Sequence, residues 1–182
     1  DSDWRAIADD PNIHAVSVVV ANHLHREIVE GLLAAGKHVL CEKPLSDTLD
    51  DARSMVAAAD GAKSIARIGL TFLRNPAIAA IKNIIASGQL GKVLHFSGNY
   101  WADYSSDPMS PISWRYKGGQ GTGALADVGS HISYVAEFIT GKPFSAVSGA
   151  RFVTSITERP VPSGAVQGHS AAAASDKFEA VE

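Results

Sequence analysis

The sequence predicts a mixed α/β protein, in which half of a doubly wound parallel sheet is followed by an α+β domain with a mainly antiparallel open sheet. Short β-branched runs alternate with helical patterns as far as residue 71, which is the order of right-handed crossovers onto a parallel sheet. Beyond residue 71 the apolar runs lengthen and alternate, which is typical of antiparallel strands with one solvated face. The two patterns divide the chain into a first domain, 1–71, and a second, 72–182.

The first domain is predicted to contain three strands that are buried on both faces. Runs at 16–20, 38–41 and 64–70 are apolar and rich in β-branched residues. A helix is expected to close near Asp10, and further helices are predicted over 24–35 and 49–59. Gly36 ends the first of these, whose apolar residues recur at helical spacing: Leu24, Ile28, Leu32 and Ala35. Three strands are half of a Rossmann-type sheet.

The second domain is predicted to combine two long strands with two helices. Pro76 begins a helix that runs to about Ser87, and another helix is predicted over 125–140. Polar and apolar residues alternate over 92–104 and 146–157, so both segments are predicted to be strands. Residues 158–174 are predicted to be a loop. An open, mainly antiparallel sheet with helices on one face accommodates these elements.

A phosphate-binding glycine loop belongs after the first strand of a dinucleotide-binding sheet. The pattern G-x-G-x-x-G is absent from the sequence, and the glycine cluster Gly118–Gly123 does not follow a strand in the required way. We therefore expect residue 1 to lie inside a domain whose earlier half is not in this sequence. We expect the second domain to be incomplete at its C-terminal end.

Composition excludes several classes of protein. A net charge of −3 gives no basic surface for nucleic acid. No apolar stretch approaches the roughly 20 residues that cross a bilayer, and the opening residues do not form a secretory signal. Cys41 is the only cysteine, so no intrachain disulfide can form. These features predict a cytoplasmic globular protein.

Glu42-Lys43-Pro44 follows a predicted strand, at the carboxyl end where open α/β sheets bind their ligands. The proline keeps Lys43 out of the helical region of backbone space, so the lysine amine can project from the edge of the sheet. A lysine beside a cofactor can hold a substrate hydroxyl or take part in proton transfer. An exposed lysine leading into a helix is the alternative, and three residues alone do not exclude it.

Asp127 and His131 are four residues apart on a predicted helix, so both side chains lie on one face and can touch a common ligand. Gly129 between them leaves room for close approach. A histidine that titrates near neutrality suits the removal of a hydroxyl proton while hydride leaves the same carbon. A pair of surface residues without function is the alternative interpretation.

Other candidates have weaker support. His23 and His25 could suggest a metal pair, but no cysteine or aspartate nearby completes a tetrahedral set, so no metal site is predicted. Cys41 lies in a predicted buried strand and is interpreted as a core residue. Trp101 and Tyr104 could stack on a sugar ring or pack against other residues.

Taken in order, these motifs resemble the glucose–fructose oxidoreductase and inositol dehydrogenase (Gfo/Idh/MocA) family. The resemblance runs through nearly the whole chain, and the block A-G-K-H-V-L-C-E-K-P-L at 35–45 is highly specific. The remaining motifs are N-H-L-H at 22–25, R-N-P at 74–76, S-G-Q-L-G at 87–91, W-R at 114–115 and D-V-G-S-H at 127–131.

The resemblance implies roles for individual residues. Lys43, Asp127 and His131 are implied to line the substrate site and to converge on one cleft. His131 would be the general base, Lys43 would hold the reacting hydroxyl, and Asp127 would orient a neighbouring hydroxyl or the histidine. The residues implied to contact the cofactor are Asn22, His25, Glu42 and Lys43, with Arg74, Trp114 and Arg115 as further cofactor- or substrate-facing positions.

The implied activity is reversible hydride transfer between NAD or NADP and a secondary hydroxyl of a sugar, polyol or inositol. The resemblance also implies a homo-oligomer, a dimer or tetramer, in which the second sheet forms subunit contacts. The alternative is a non-catalytic nucleotide- or sugar-sensing protein on the same scaffold. The presence of both Lys43 and His131 favours the enzyme.

Overall fold

The computed structural model describes residues 3–164 and 173–181. The chain divides into two compact units, Asp1–Thr71 and Phe72–Glu182. The first unit alternates helices and strands in the order α1 (Trp4–Asp9), β1 (Ala15–Val18), a 3-10 helix (Asn22–Leu24), α2 (His25–Ala34), β2 (His38–Cys41), α3 (Leu49–Gly61) and β3 (Ala66–Ile68).

The three strands of the first unit form a parallel sheet in the order β1-β2-β3. Val39 in β2 is opposite Val16 in β1 on one side and Ala66 in β3 on the other. Parallel neighbours that follow one another along the chain need a crossover, and α2 and α3 supply the two crossovers. The prediction of half a Rossmann-type parallel sheet is confirmed.

The core of the first unit lies between the sheet and α2. Leu32 of α2 is fully buried, and Val18 and Val39 of the sheet are almost fully buried against it. Burial of each such aliphatic side chain contributes roughly 1.5–3 kcal/mol relative to exposure. The predicted helical spacing was right for Ile28 and Leu32, which are buried, but Leu24 lies in the preceding 3-10 helix and Ala35 just after α2, and both are exposed.

Within the described residues the second unit has two strands, but in other segments than the sequence predicts. The chain forms a 3-10 helix (Thr71–Arg74) at the division between the units and then α4 (Pro76–Ala86). A second 3-10 helix (Trp114–Tyr116) and a π-helical turn (Leu125–Gly129) precede α5 (Ser130–Thr140). An antiparallel pair follows, β4 (Glu158–Pro162) and β5 (Ala174–Ala180). The prediction of an antiparallel sheet in this domain is confirmed.

The predicted strands 92–104 and 146–157 are wrong, because neither segment joins a hydrogen-bonded ladder within the described residues. Alternation reports that one face of a segment is apolar, but a strand also needs a neighbour that pairs with its backbone. Leu94 and Val147 are more than four-fifths exposed in these segments, so the alternation corresponds to no buried face in the structure.

The predicted loop 158–174 is also wrong at its start, where β4 forms, and at Ala174, where β5 begins. Pro160 and Pro162 cannot donate a backbone N–H to a ladder, but a two-stranded pair leaves each strand an outer edge that tolerates proline. Residues 165–172 of that predicted loop lie outside the described residues. Where the structure describes the chain, no helix is both long and apolar enough to cross a membrane.

Candidate active site

The loop after β2 in the first unit holds Lys43 through the side chain of Glu42. The Glu42 N–H donates to Val18 O at 3.0 Å, and Glu42 Oε2 accepts from the Lys43 N–H at 3.0 Å. Gly69, just after β3, leaves space for this carboxylate, since a Cβ there would lie 3.1 Å from Glu42 Oε1. The Lys43–Pro44 peptide bond is cis. Glu42 thus orients the backbone of Lys43 at the carboxyl end of the sheet.

His25 joins the ends of two neighbouring strands. Its side chain is completely buried, with Nε2 3.1 Å from Val20 O after β1. Nδ1 lies 3.1 Å from Pro44 O and 3.2 Å from Leu45 O, both in the loop after β2. A direct contact between this ring and a cofactor, as predicted from the sequence, does not fit a side chain without accessible surface. His25 instead connects the chain after β1 with the loop that carries Lys43.

Two other sequence-predicted residues have simple positions. Asn22 is the first residue of the 3-10 helix between β1 and α2 and is partly buried. Because β1 and β2 are adjacent parallel strands, Asn22 and Lys43 follow neighbouring strands of the sheet. Arg74 ends the 3-10 helix at the division between the units and is exposed. Their predicted contacts with a cofactor remain predictions.

Asp127 is the centre of a buried polar cluster in the second unit. The residue is only 5% exposed, and its Oδ2 accepts from the Tyr104 hydroxyl and from Arg115 Nε, the latter at 2.9 Å. The Arg115 guanidinium lies 4.5 Å above the ring of Trp114. Burial and the hydrogen bond to Asp127 raise the pKa of Tyr104 well above its usual range, so Tyr104 is a hydroxyl donor at neutral pH.

His131 lies one turn later, in the first turn of α5, and is 8% exposed. Its ring stacks on Phe72 at 4.5 Å between centroids and on Tyr100 at 5.7 Å. Nδ1 lies 2.6 Å from the Tyr134 hydroxyl, and that hydroxyl accepts from the Phe72 N–H at 3.3 Å. Aromatic packing and one hydrogen bond therefore fix the plane of the imidazole.

The sequence predicts one regular helix that carries both Asp127 and His131. The structure forms a π-helical turn followed by α5 instead. Leu125–Gly129 forms a π-helical turn, in which the Ser130 N–H bonds to Leu125 O five residues earlier. Gly129 permits this turn to close, because a Cβ there would lie 2.9 Å from the Leu125 side chain. π-Helical turns within α-helices occur frequently at functional sites. The extra residue changes the direction in which Asp127 points relative to α5.

The structure brings Arg115, with Trp114 against its guanidinium, to Asp127, which the sequence separation does not suggest. It also adds residues that sequence reasoning missed or assigned otherwise. Tyr104, considered as a stacking residue, is a hydrogen-bond donor to Asp127. Tyr134 is three residues after His131, a spacing that places two helical side chains together and could have identified the pair. Phe72 and Tyr100 gave no local signal.

The chemistry available in the second unit is proton handling beside hydrogen-bonding groups. If the Tyr134 hydroxyl accepts the hydrogen of Nδ1, then Nε2 of His131 is the nitrogen that can take up a proton. Asp127 is a carboxylate whose charge is offset by Arg115. No cluster of three or more His, Cys, Asp or Glu side chains that could hold a metal ion occurs among residues 3–164 and 173–181.

Comparison with known proteins identifies the family of both units. The family model described as "Oxidoreductase family, NAD-binding Rossmann fold" matches residues 2–70, and the GFO/IDH/MocA C-terminal domain matches residues 78–179. Levoglucosan dehydrogenase of Pseudarthrobacter phenanthrenivorans is 43% identical over 164 residues, which are 90% of this chain and 42% of that protein.

Solved structures agree with this match. The apo form of levoglucosan dehydrogenase superimposes with a TM-score of 0.88 at 39% identity, covering 100% of this chain and 46% of that chain. Its complex with NADH and levoglucosan gives a TM-score of 0.82 at 42% identity, with 90% and 44% covered. The chain thus spans less than half the length of these relatives. Because the two family matches run through nearly the whole sequence, the chain belongs to the Gfo/Idh/MocA family of oxidoreductases.

Proposed function

We propose that the protein of which this chain is part is an NAD(P)-dependent dehydrogenase that acts on a secondary hydroxyl of a sugar, polyol or inositol. The observation that supports this most directly is the arrangement on the π-helical turn and α5. A buried carboxylate, Asp127, held by Tyr104 and Arg115, precedes by one turn a buried histidine, His131, that is held by Tyr134. The similarity to levoglucosan dehydrogenase supports a sugar as substrate.

His131 is proposed to act as the general base for the substrate hydroxyl. Its imidazole would accept the hydroxyl proton as the carbon loses hydride, and would return a proton in the reverse direction. Asp127 would accept a hydrogen bond from a neighbouring hydroxyl and orient the sugar. Lys43 is proposed to donate a hydrogen bond to the reacting oxygen.

The residues of the first unit suit the nicotinamide half of NAD(P). An amide at Asn22 and an ammonium group at Lys43 follow adjacent parallel strands, at the sheet edge where this class of fold binds dinucleotides. Such groups can hydrogen-bond to ribose hydroxyls and to a carboxamide. His25 and Glu42 would keep these loops in place. Bound NAD(P) would supply the hydride chemistry, while the chain supplies position and proton handling.

The state of the whole protein is also proposed. A homo-oligomer, a dimer or tetramer, is supported by the family resemblance. Light scattering of the full-length protein measures this directly, and a monomer at micromolar concentration would contradict it.

A cytoplasmic location is proposed from the single cysteine, which suits a reducing compartment.

The test is a substrate screen with the full-length protein. NAD or NADP would be mixed with levoglucosan, inositols and aldoses, and reduction followed at 340 nm. We expect turnover of at least one sugar, and a fall in kcat of about a hundredfold or more in Lys43→Met and His131→Ala, typical of lost acid–base groups. Lys63→Met and His95→Ala are matched controls, because both side chains are exposed.

The outcome also separates the enzyme from the alternative. A sensing protein would bind NADH, as a change in its fluorescence shows, without turning over any sugar in the screen. An enzyme whose rate is unaffected in both Lys43→Met and His131→Ala would keep the activity but contradict the assigned residues.

The proposed base predicts the direction of the pH dependence. Sugar oxidation should slow as pH falls, because a protonated imidazole cannot accept the hydroxyl proton. The measurement is kcat/KM against pH for the wild type and His131→Ala. A profile that keeps its acid limb in His131→Ala would show that another group is the base.

A further inference from the structure

Arg159 is a buried cation that forms no ion pair with a carboxylate among residues 3–164 and 173–181. It lies in β4 with only 2% of its surface exposed. Nη1 donates to Asp107 O at 2.7 Å and to Ser110 O at 3.2 Å, and Nη2 donates to Ser105 O at 2.5 Å. The guanidinium carbon lies 4.0 Å from the centroid of the Tyr116 ring, and Nε has no partner among the described residues.

Such a side chain is costly to bury. Removal of a charge from water without an opposite charge requires compensating hydrogen bonds, and an unpaired buried N–H adds a further penalty of about 1–3 kcal/mol. Three charge-assisted bonds to carbonyl oxygens and an aromatic face offset that cost. A planar guanidinium can make these contacts together, whereas a lysine ammonium cannot also lie flat on the ring. The arrangement therefore requires arginine.

The hydrogen-bond acceptors and the aromatic ring that the Arg159 side chain contacts belong to one segment, residues 104–116, called here the 104–116 loop. Its first residue, Tyr104, and its penultimate residue, Arg115, both donate to Asp127. Between them the loop contains mostly serine, aspartate and proline, so few apolar side chains can fix it. The exception is buried Ile112, whose N–H donates to Pro160 O of β4 at 2.8 Å.

We propose that Arg159 is a positioning residue that holds the 104–116 loop so that Tyr104 and Arg115 both reach Asp127. The Arg159 side chain binds the loop on either side of Ile112, through hydrogen bonds to carbonyl oxygens within residues 105–110 and through contact with the ring of Tyr116. The proposal rests on the proposed function in so far as Asp127 serves the sugar. Arg159 itself touches none of the groups assigned to the reaction.

The first test is Arg159→Lys in the full-length enzyme, with Arg151→Lys as the matched control because Arg151 is exposed in the same unit. We expect kcat/KM for the sugar to fall about tenfold to a hundredfold, since small misplacements of positioned groups have effects of that size. The NADH dissociation constant should stay within twofold of the wild type. A sugar kcat/KM within twofold of the wild type would overturn the proposal.

A double-mutant cycle tests whether Arg159 acts through the loop. In a Tyr104→Phe background one of the two contacts it positions is already lost, so Arg159→Lys should cost less than a third of its factor in the wild type. Residues that act through a shared partner show this non-additivity, whereas independent sites add. A full penalty in the Tyr104→Phe background would contradict the proposed route.

Hydrogen exchange tests the loop without any activity. Amides of residues 105–116 should exchange faster in Arg159→Lys than in Arg151→Lys, while those of α5 should be unchanged. This measurement stands even if the protein turns over no sugar, so it separates failure of this proposal from failure of the proposed function. Should Arg159→Lys not fold, Tyr116→Leu removes only the aromatic face, and the same loop should still exchange faster. Unchanged exchange in the folded variant would overturn the proposal.

Discussion

At the scale of single residues, burial decides what an ionisable group can do. Cys41 in β2 is 2% exposed, and its burial, together with the nearby charge of Glu42, raises the pKa of the thiol to about 11. The thiol is therefore protonated at neutral pH and is a poor nucleophile. It packs with Val18, Val39 and Met55, as its place in an apolar strand predicts.

The raised pKa predicts that Cys41 contributes less to the free energy of unfolding at high pH. Its ordinary value is 9.0, so the folded protein holds this proton more tightly than the unfolded chain does. The contribution is fully present below pH 9 and is lost as pH rises from about 9 to 11 and beyond, by roughly 2–3 kcal/mol. The measurement is the free energy of unfolding in urea for wild type and Cys41→Ala at pH 8 and at pH 11, because the difference between the two proteins isolates the contribution of Cys41. A difference between the two proteins that does not change with pH would contradict the prediction.

At the scale of elements, the two loops at the sheet edge are joined by a side chain rather than by the sheet itself. The ladder between β1 and β2 ends at the pair Val18 and Cys41. Beyond it, His25 at the start of α2 lies within hydrogen-bonding distance of carbonyls on both sides. Because Lys43 stands directly before Pro44, the place of the proposed substrate-binding lysine depends on this histidine.

Replacement of His25 by alanine should loosen this edge. The change removes the ring that lies within hydrogen-bonding distance of carbonyl oxygens in both loops and opens a cavity, which together lower local stability by about 2–4 kcal/mol. Native-state hydrogen exchange at the amides of β2 and of Glu42 reports that loss. His23→Ala is the control, because His23 is exposed two residues earlier and should change exchange by no more than about 0.5 kcal/mol. Equal protection in both variants would show that His25 does not hold the loop.

At the scale of the whole molecule, the chain carries groups for chemistry but no recognisable phosphate-binding loop. In related sheets the pyrophosphate binds backbone N–H groups at a glycine-rich first turn and the following helix N-terminus. No G-x-G-x-x-G pattern occurs in this sequence, and the three strands of the first unit are followed by turns at Asn22, Lys43 and Gly69. Groups suited to the nicotinamide end alone should give weak affinity.

We therefore expect residues 1–182, expressed alone, to bind NADH weakly and to show no dehydrogenase activity. The measurement is calorimetric titration with NADH, with circular dichroism to establish that the fragment is folded. Full-length protein is the control and should bind in the micromolar range or tighter. A dissociation constant near 1 μM for the fragment, about −8 kcal/mol, would mean that the glycine loop is dispensable.

The sequence by itself determined those features that local periodicity and contiguous motifs encode. Apolar β-branched runs separated by helical spacing are a property of short segments, and they were enough to predict the parallel sheet and the burial of Ile28 and Leu32 on α2. The order of six motifs, with the specific block at 35–45 among them, was enough to indicate the family. Periodicity failed at 92–104 and 146–157, because a strand exists only if a neighbour pairs with it.

Only the tertiary structure decided which residues from distant parts of the sequence are in contact. Tyr104 and Arg115 meet at Asp127 across separations of 23 and 12 residues, and Arg159 reaches Ser105 across 54. No local pattern marks such partners, because each residue taken alone resembles an ordinary surface tyrosine or arginine. The π-helical turn is likewise set by the packing of Leu125 over Gly129. Contacts between distant segments form only when the chain is folded, so their energies leave no period in the sequence.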